Sequence, residues 1–242
     1  LDWGNPRAIL FTFHKELGII ELMMTQIFQG MTPDVVENYS KYWHSLAPKN
    51  DIEILQRWIF AYLSIHTSWT ANVRGYNAIK DISKWEDCKE NLLELLTESR
   101  CGMQNKRTEY IWHFLQVFKS NPQFFQKKET ESWSEMRSRL MKICKGIGIA
   151  KVSFTLEMCH PLDAELTCLD THMLKLYNQV PSKFTDAKGY KQYEQLERKW
   201  LDSCVQNNIA PYIARSIYWD QIQKQPNSRY WSHVLEQANC AI

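Results

Sequence analysis

The residues best suited to chemistry lie in one stretch, Leu140 to Tyr177. A helix carrying Leu140 and Ile143 is expected to stop at Gly146-Ile147-Gly148, and a second helix to begin almost at once. Glycines on either side of an apolar residue let the backbone turn sharply and approach another surface, and the helix that follows offers unpaired N–H groups to an anion. The same residues also read as a plain helix end joining two core helices. Around the turn Arg137, Arg139, Lys142, Lys145 and Lys151 form a local concentration of positive charge that suits an anionic partner. Lys151 can serve there as one more phosphate-binding cation or, with its amine partly neutral, as a nucleophile. Asp170 precedes the apolar run Met173, Leu174, Leu176 and Tyr177. It therefore reads as a helix N-cap, worth about 1 kcal/mol, and also as a carboxylate able to stabilise developing positive charge. The two roles are compatible, because a capped carboxylate is a rigid one.

Helices must position these groups. Glycine and proline, eight of each, separate apolar segments whose spacing is mostly three to four residues, which makes the class all-α. A first helix is expected over 7–29 with Gly30 as its C-cap, and Thr32 followed by Pro33 opens a second toward Trp43. A third is expected to run unbroken over 51–79, with Ile54, Trp58, Tyr62 and Ile65 on one stripe. Ser83 with Glu86, and Ser132 with Glu135, have capping-box spacing before apolar runs. Further helices are expected over 150–158, from Asp170 through Tyr177 to a stop at Pro181, then over 187–206 and 211–224. No strand alternation or internal repeat is found.

A chain of 242 residues, 44% hydrophobic, can bury one substantial core or two small helical lobes sharing a cleft. Its richest apolar stretch, Glu16 to Phe28, is broken by Glu21, Thr25 and Gln26, so no membrane span is expected. No leader with a cleavage site is read, and export is not expected. Seven cysteines without a CxxC pair argue against a disulfide framework and a zinc site, and fit a reducing compartment, cytoplasmic or, with DNA, nucleoid or nuclear. With 29 basic and 27 acidic residues the net charge is only +2, so any nucleic-acid surface must be local.

The stretch from Leu140 to Tyr177 resembles the signature of the helix-hairpin-helix DNA glycosylases (the HhH-GPD superfamily). There a Gly-apolar-Gly hairpin is followed by a catalytic lysine and, after one helix and a loop, by an aspartate in a Val/Leu-Asp-x-His context, here Leu169-Asp170-Thr171-His172. The separation of Lys151 and Asp170, 19 positions, is similar to that in the 8-oxoguanine DNA glycosylase/AP lyases. In the commonest pattern the lysine stands two residues after the second glycine, whereas Lys151 stands three after Gly148 and Ala150 holds the usual place. Either the hairpin carries one extra residue, or Lys151 only faces DNA. The insertion is the reading adopted, because Lys151 keeps its distance to Asp170. Leu63-Ser64-Ile65-His66-Thr67-Ser68-Trp69 is similar to the family's Leu-Ser-x-Gln-x-Thr passage, and Gly102 to Arg107 resembles its Gly-x-x-x-x-Lys-Ala turn.

The resemblance implies a two-lobed all-α fold with a cleft between a lobe of residues 1–50 and 181–242 and a central bundle of 51–180. It implies a monomer acting on double-stranded DNA, with Lys151 and Asp170 as the catalytic pair and 8-oxoguanine as the leading substrate. Gly146, Gly148, Lys145 and Lys142 would face DNA. His66 would fill the gap left by an extruded base, with Trp69 or Asn72 reaching the opposite strand; His66 equally reads as a core-edge histidine. Tyr212, Arg215, Tyr218 and Trp219 are the candidate base pocket, although most aromatics of this kind are core residues. His160 and His172 are expected to be structural, and Cys144, Cys159 and Cys168 small buried apolar groups. No metal and no cofactor is expected; an iron-sulfur cluster needs four C-terminal cysteines, and only Cys204 and Cys240 lie there. Two other readings stay open: a glycosylase-like enzyme acting on hypermodified DNA bases, and a DNA-binding module without catalysis.

Overall fold

A computed structural model describes Gly18 and residues 21–223. Within them residues 21–29 form α1, followed by α2 (Pro33–Ser45), α3 (Asp51–Leu63), α4 (Trp69–Ile79), α5 (Lys89–Glu98) and α6 (Gln104–Ser120). Then come α7 (Trp133–Ile143), α8 (Ile149–Cys159), α9 (Thr171–Leu176), α10 (Ala187–Gln206) and α11 (Pro211–Gln223). Among the described residues there is no strand, so the class is all-α. The helix starts follow local chemistry. Thr32 stands extended before Pro33, Asn50 accepts the Glu53 N–H, and Ser132 and Glu135 form a reciprocal capping box.

Two expectations about the elements need correction. The stretch 51–79 is two helices rather than one. His66 takes φ 47°, and Ser68 caps α4 by accepting the Ala71 N–H. The break is fixed from outside the stretch: the buried Arg107 guanidinium donates to the carbonyls of Leu63 at 3.0 Å and Ile65 at 2.8 Å, and also to Cys101 and Gly102. One side chain thus holds the end of α3 against the start of α6. Ser83 and Glu86 do not cap a helix. The chain makes a short 3-10 turn over Ile82–Lys84, because Trp85 is drawn into the core and its indole N–H donates to the Ile79 carbonyl at 2.7 Å. The next helix then waits until Lys89.

α3 and α8 pack against each other at the centre, and both are buried nearly all round: Trp58 through Leu63 on one, Val152 through Cys159 on the other. A helix apolar on every face belongs inside. α4, α6 and α7 flank this pair, and Trp58, Phe114 and Phe125 stack at 5.2–5.6 Å. Removing one such ring costs about 3–5 kcal/mol. The early and late helices meet elsewhere: α2 lies on α11 with Trp43 against Tyr212 at 4.8 Å, and Phe28 of α1 meets Trp200 of α10 at 5.3 Å.

Candidate active site

After α7 the chain reverses through Gly146, which takes φ 79°, and a Cβ there would run into the Tyr110 ring. Both the backbone angle and the close approach demand glycine at that position. Gly148 then caps α8 in an extended conformation with open space where a side chain would stand. The N–H groups of Lys151 and Val152 bond to the Gly148 carbonyl. Among the described residues this leaves the Ile149 and Ala150 amides of the first turn without a backbone partner, beside the exposed Gly146, Gly148, Lys142 and Lys145. Lys151 is the third residue of α8, half-buried, with Nζ 5.4 Å from the centre of the Phe154 ring.

Asp170 reaches the same region from the other side of the fold. The segment before it is pinned by Tyr193 of α10, whose hydroxyl accepts from the Leu169 N–H and donates to the Thr167 carbonyl, both at 2.8 Å. Glu197, one turn further along α10, accepts the Thr167 N–H at 2.8 Å and pairs with Arg137 at 2.6 Å. Asp170 itself caps α9, its Oδ1 accepting the His172 and Met173 N–H groups at 2.9 and 3.0 Å. Oδ2 takes no part in the cap and lies 3.9 Å from Arg215 Nη1.

Lys151 and Asp170 line one pocket of about 240 Å³. Trp69 and Asn72 of α4 and Arg215 and Trp219 of α11 share its walls, so four of the sequence-predicted residues outside the catalytic pair come together there. Others do not. Tyr212 is 0% exposed and packs into the core on Trp43, and Tyr218 turns toward Trp200 and stands outside the pocket. Neither lines the base pocket proposed for them; on a buried helix, aromatics at three- to four-residue spacing point into the core as readily as out of it. His66 is exposed in the turn between α3 and α4 and is not a wall residue. Arg137 is fully buried between Glu197, Glu194 and Ser153, and Arg139 is held by Glu131. The positive surface near the hairpin is thus narrower than the sequence suggested, because two of its five charges are committed to ion pairs.

Among the wall residues not anticipated as site residues, three stand out. His172, expected to be structural, stands in the pocket edge-on to Trp219 at 6.3 Å; its place in the Leu-Asp-x-His segment was the available signal. Phe154 and Cys168 also face the pocket, and burial pushes the Cys168 thiol up to about 12. Behind them lies an ion pair that no motif announced. Arg215 Nε donates to Glu157 Oε1 at 2.9 Å and Nη2 sits 2.7 Å from Oε2, with both residues closed to solvent. Burial raises the Glu157 carboxyl against the pull of Arg215. For Arg215 burial is the largest single influence and works against the charge, but Glu157 together with Cys168, Tyr212 and Asp170 outweighs it and holds the guanidinium above its ordinary value. Among the described residues no three His, Cys, Asp or Glu side chains converge as metal ligands would; Cys240 lies outside the described residues.

The family model described as 8-oxoguanine DNA glycosylase (Ogg-HhH) matches residues 35–209, most of the chain and all of the pocket's walls except those on α11. The chain belongs to that family. It is a DNA glycosylase of the helix-hairpin-helix fold. The 8-oxoguanine DNA glycosylase of Thermotoga maritima superposes with a TM-score of 0.67 at 18% identity, over 85% of this chain and 98% of that one. That of Methanocaldococcus jannaschii gives 0.69 at 20% identity, over 85% and 95%. The same archaeal enzyme, described as a glycosylase/lyase in complex with a 15mer DNA containing 8-oxoguanine, gives 0.65 at 19% identity, over 84% and 98%. No curated protein matches the sequence. No described helix is long and apolar enough to cross a membrane.

Proposed function

We propose that this glycosylase excises 8-oxoguanine from duplex DNA through a Schiff base on Lys151 and then cleaves the strand as a lyase. One observation carries the reading. An amine and a carboxylate from different helices, brought by unrelated local devices, share a small pocket with Trp69, Phe154 and Trp219. A base inside a duplex is sterically closed to attack, so the nucleotide must rotate out of the stack at a cost of a few kcal/mol, partly recovered on aromatic walls. Loss of the base places positive charge on the sugar, and the capped carboxylate of Asp170 is a fixed counter-charge for it. The Lys151 amine, as its free base, attacks C1′; the C1′–N9 electron pair leaves with the base, which takes up a proton. Ring opening gives an imine, whose electron-withdrawing nitrogen permits loss of a C2′ proton and departure of the 3′ phosphate.

Several finer points support this reading. Lys151 rather than Ala150 reaches the pocket, which favours an extra residue in the hairpin over a missing lysine. The first-turn amides of α8, with Lys142 and Lys145, form the anion-binding surface for duplex backbone. The exposure of His66 in the turn before α4 is compatible with its entering the vacated stack, the protein acting as a monomer. The pairing of α1 and α2 with α10 and α11 fits a lobe of 1–50 and 181–242 beside a bundle of 51–180.

The test is single-turnover release of base from duplexes carrying 8-oxoguanine, uracil or 5-hydroxymethyluracil. We expect 8-oxoguanine to be released fastest, and Lys151→Gln to lower that rate at least a thousandfold. Release of 5-hydroxymethyluracil with 8-oxoguanine left intact would instead point to hypermodified bases.

A further inference from the structure

Arg215 and Glu157 are the most deeply buried charges at the pocket, and the mechanism above uses neither. We infer that together they form a fixed, donor-only reader that selects bases with a carbonyl, and rejects those with an amino group, at the position Arg215 faces. This inference rests on the glycosylase pocket proposed above and deepens it to the substrate class.

The geometry assigns each donor. Nε of Arg215 donates to Glu157 Oε1 at 2.9 Å, and Nη2 lies against Oε2 at 2.7 Å as an ion pair whose angle makes no hydrogen bond, closed off from the pocket. Nη1 makes no hydrogen bond; its nearest charged neighbour is Asp170 Oδ2 at 3.9 Å, across the pocket wall. The guanidinium plane is clamped over the rings of Phe154 and Tyr212 at 5.5 and 5.2 Å, so it cannot turn to spare its partner. Guanidinium has five donors and no acceptor, and unlike a glutamine or asparagine amide it cannot invert to accept. A carbonyl oxygen such as O6 of 8-oxoguanine satisfies Nη1. An exocyclic amino group such as N6 of 8-oxoadenine brings a second donor against it and leaves both unpaired. Sites that leave a buried polar group unpaired discriminate by as much as about 10⁴-fold. The Nε hydrogen bond and the ion pair to Glu157 hold the guanidinium in place, and among the described residues no other cation pairs with that carboxylate.

The test compares release of 8-oxoguanine and 8-oxoadenine from otherwise identical duplexes, each rate divided by the same preparation's cleavage of an abasic site. Wild type should favour 8-oxoguanine by at least a hundredfold. Arg215→Gln, whose amide can present its oxygen, should shrink that ratio at least tenfold, and Arg215→Lys, still donor-only, should keep most of it. If Arg215→Gln folds poorly with Glu157 left unpaired, the double variant Glu157→Gln/Arg215→Gln removes both charges and should show the same shrinkage. A ratio unchanged within twofold in these variants overturns the inference. So does an equal loss on both substrates and on undamaged duplex binding, which would mark Arg215 as a phosphate contact. If wild type spares 8-oxoguanine yet releases another carbonyl base with the same dependence on Arg215, the substrate proposed above fails and the reader stands.

Discussion

Replacing Tyr193 with phenylalanine removes one oxygen and leaves the packing intact, yet it should be among the costlier single-atom changes in this fold. That oxygen accepts from Leu169 N–H and donates to Thr167 C=O, both at 2.8 Å, and all three residues are buried. Each backbone group left without a partner in the interior costs about 1–3 kcal/mol, so the substitution should destabilise by about 2–4 kcal/mol. For a chain of this size that corresponds to a fall in Tm of roughly 5–15 °C. Tyr177 supplies the internal control, because its hydroxyl is equally buried and has no partner. Tyr177→Phe removes an unpartnered buried hydroxyl and should leave stability unchanged or raise it, by up to about 1–3 kcal/mol. Both are measured by urea denaturation with the m-value checked for constancy. Because Leu169 directly precedes Asp170, Tyr193→Phe should also slow base release at temperatures where the protein stays folded. Equal stability for the two variants would refute the argument that this hydroxyl holds the segment delivering Asp170.

Gly146→Ala should destabilise by more than about 2 kcal/mol, since it meets both a left-handed φ and the Tyr110 ring, whereas Gly148→Ala should fold normally and show its effect only as weakened DNA binding. Lys145→Ala should weaken binding of all duplexes alike and reduce the slope of log K against log salt by about 0.9, measured by fluorescence anisotropy. Burial holds the His160 imidazole, packed 4.9 Å from Trp133, below its ordinary value of 6.5. The unfolded chain therefore binds the extra proton first. Stability should be lost as pH falls below 6.5, until the folded value is passed, and His160→Gln should flatten that part of a Tm-against-pH profile.

Where the sequence spoke, it spoke through local chemistry. The Ser132–Glu135 box, the Thr32-Pro33 start and the Asp170 cap each need only neighbours in the chain, and α10 spans 187–206 as the apolar spacing predicted. Its silences have one cause, which is that the deciding partner lies far along the chain. The break after Leu63 depends on Arg107, more than forty positions away, and no glycine or proline marks it. Arg137 and Arg139 looked like DNA contacts because their acidic partners, Glu197 and Glu131, could not be matched to them by spacing. Glu157 sits in an apolar run that gives no hint of Arg215. Trp219 and Tyr212 have the same local pattern, and only the packing of α2 on α11 sends one to the pocket and the other to the core.

Sodium borohydride reduction during reaction with an 8-oxoguanine duplex tests the central claim most directly, because it fixes the imine as a stable amine. Wild type should give a covalent protein–DNA adduct whose cross-linked residue, read by peptide mass spectrometry, is Lys151. Lys151→Gln should give none, and Ala150→Lys added to Lys151→Gln should not restore it, since position 150 does not reach the pocket. An adduct on any other lysine, or rescue by the lysine at 150, would contradict the assignment of Lys151 as the nucleophile.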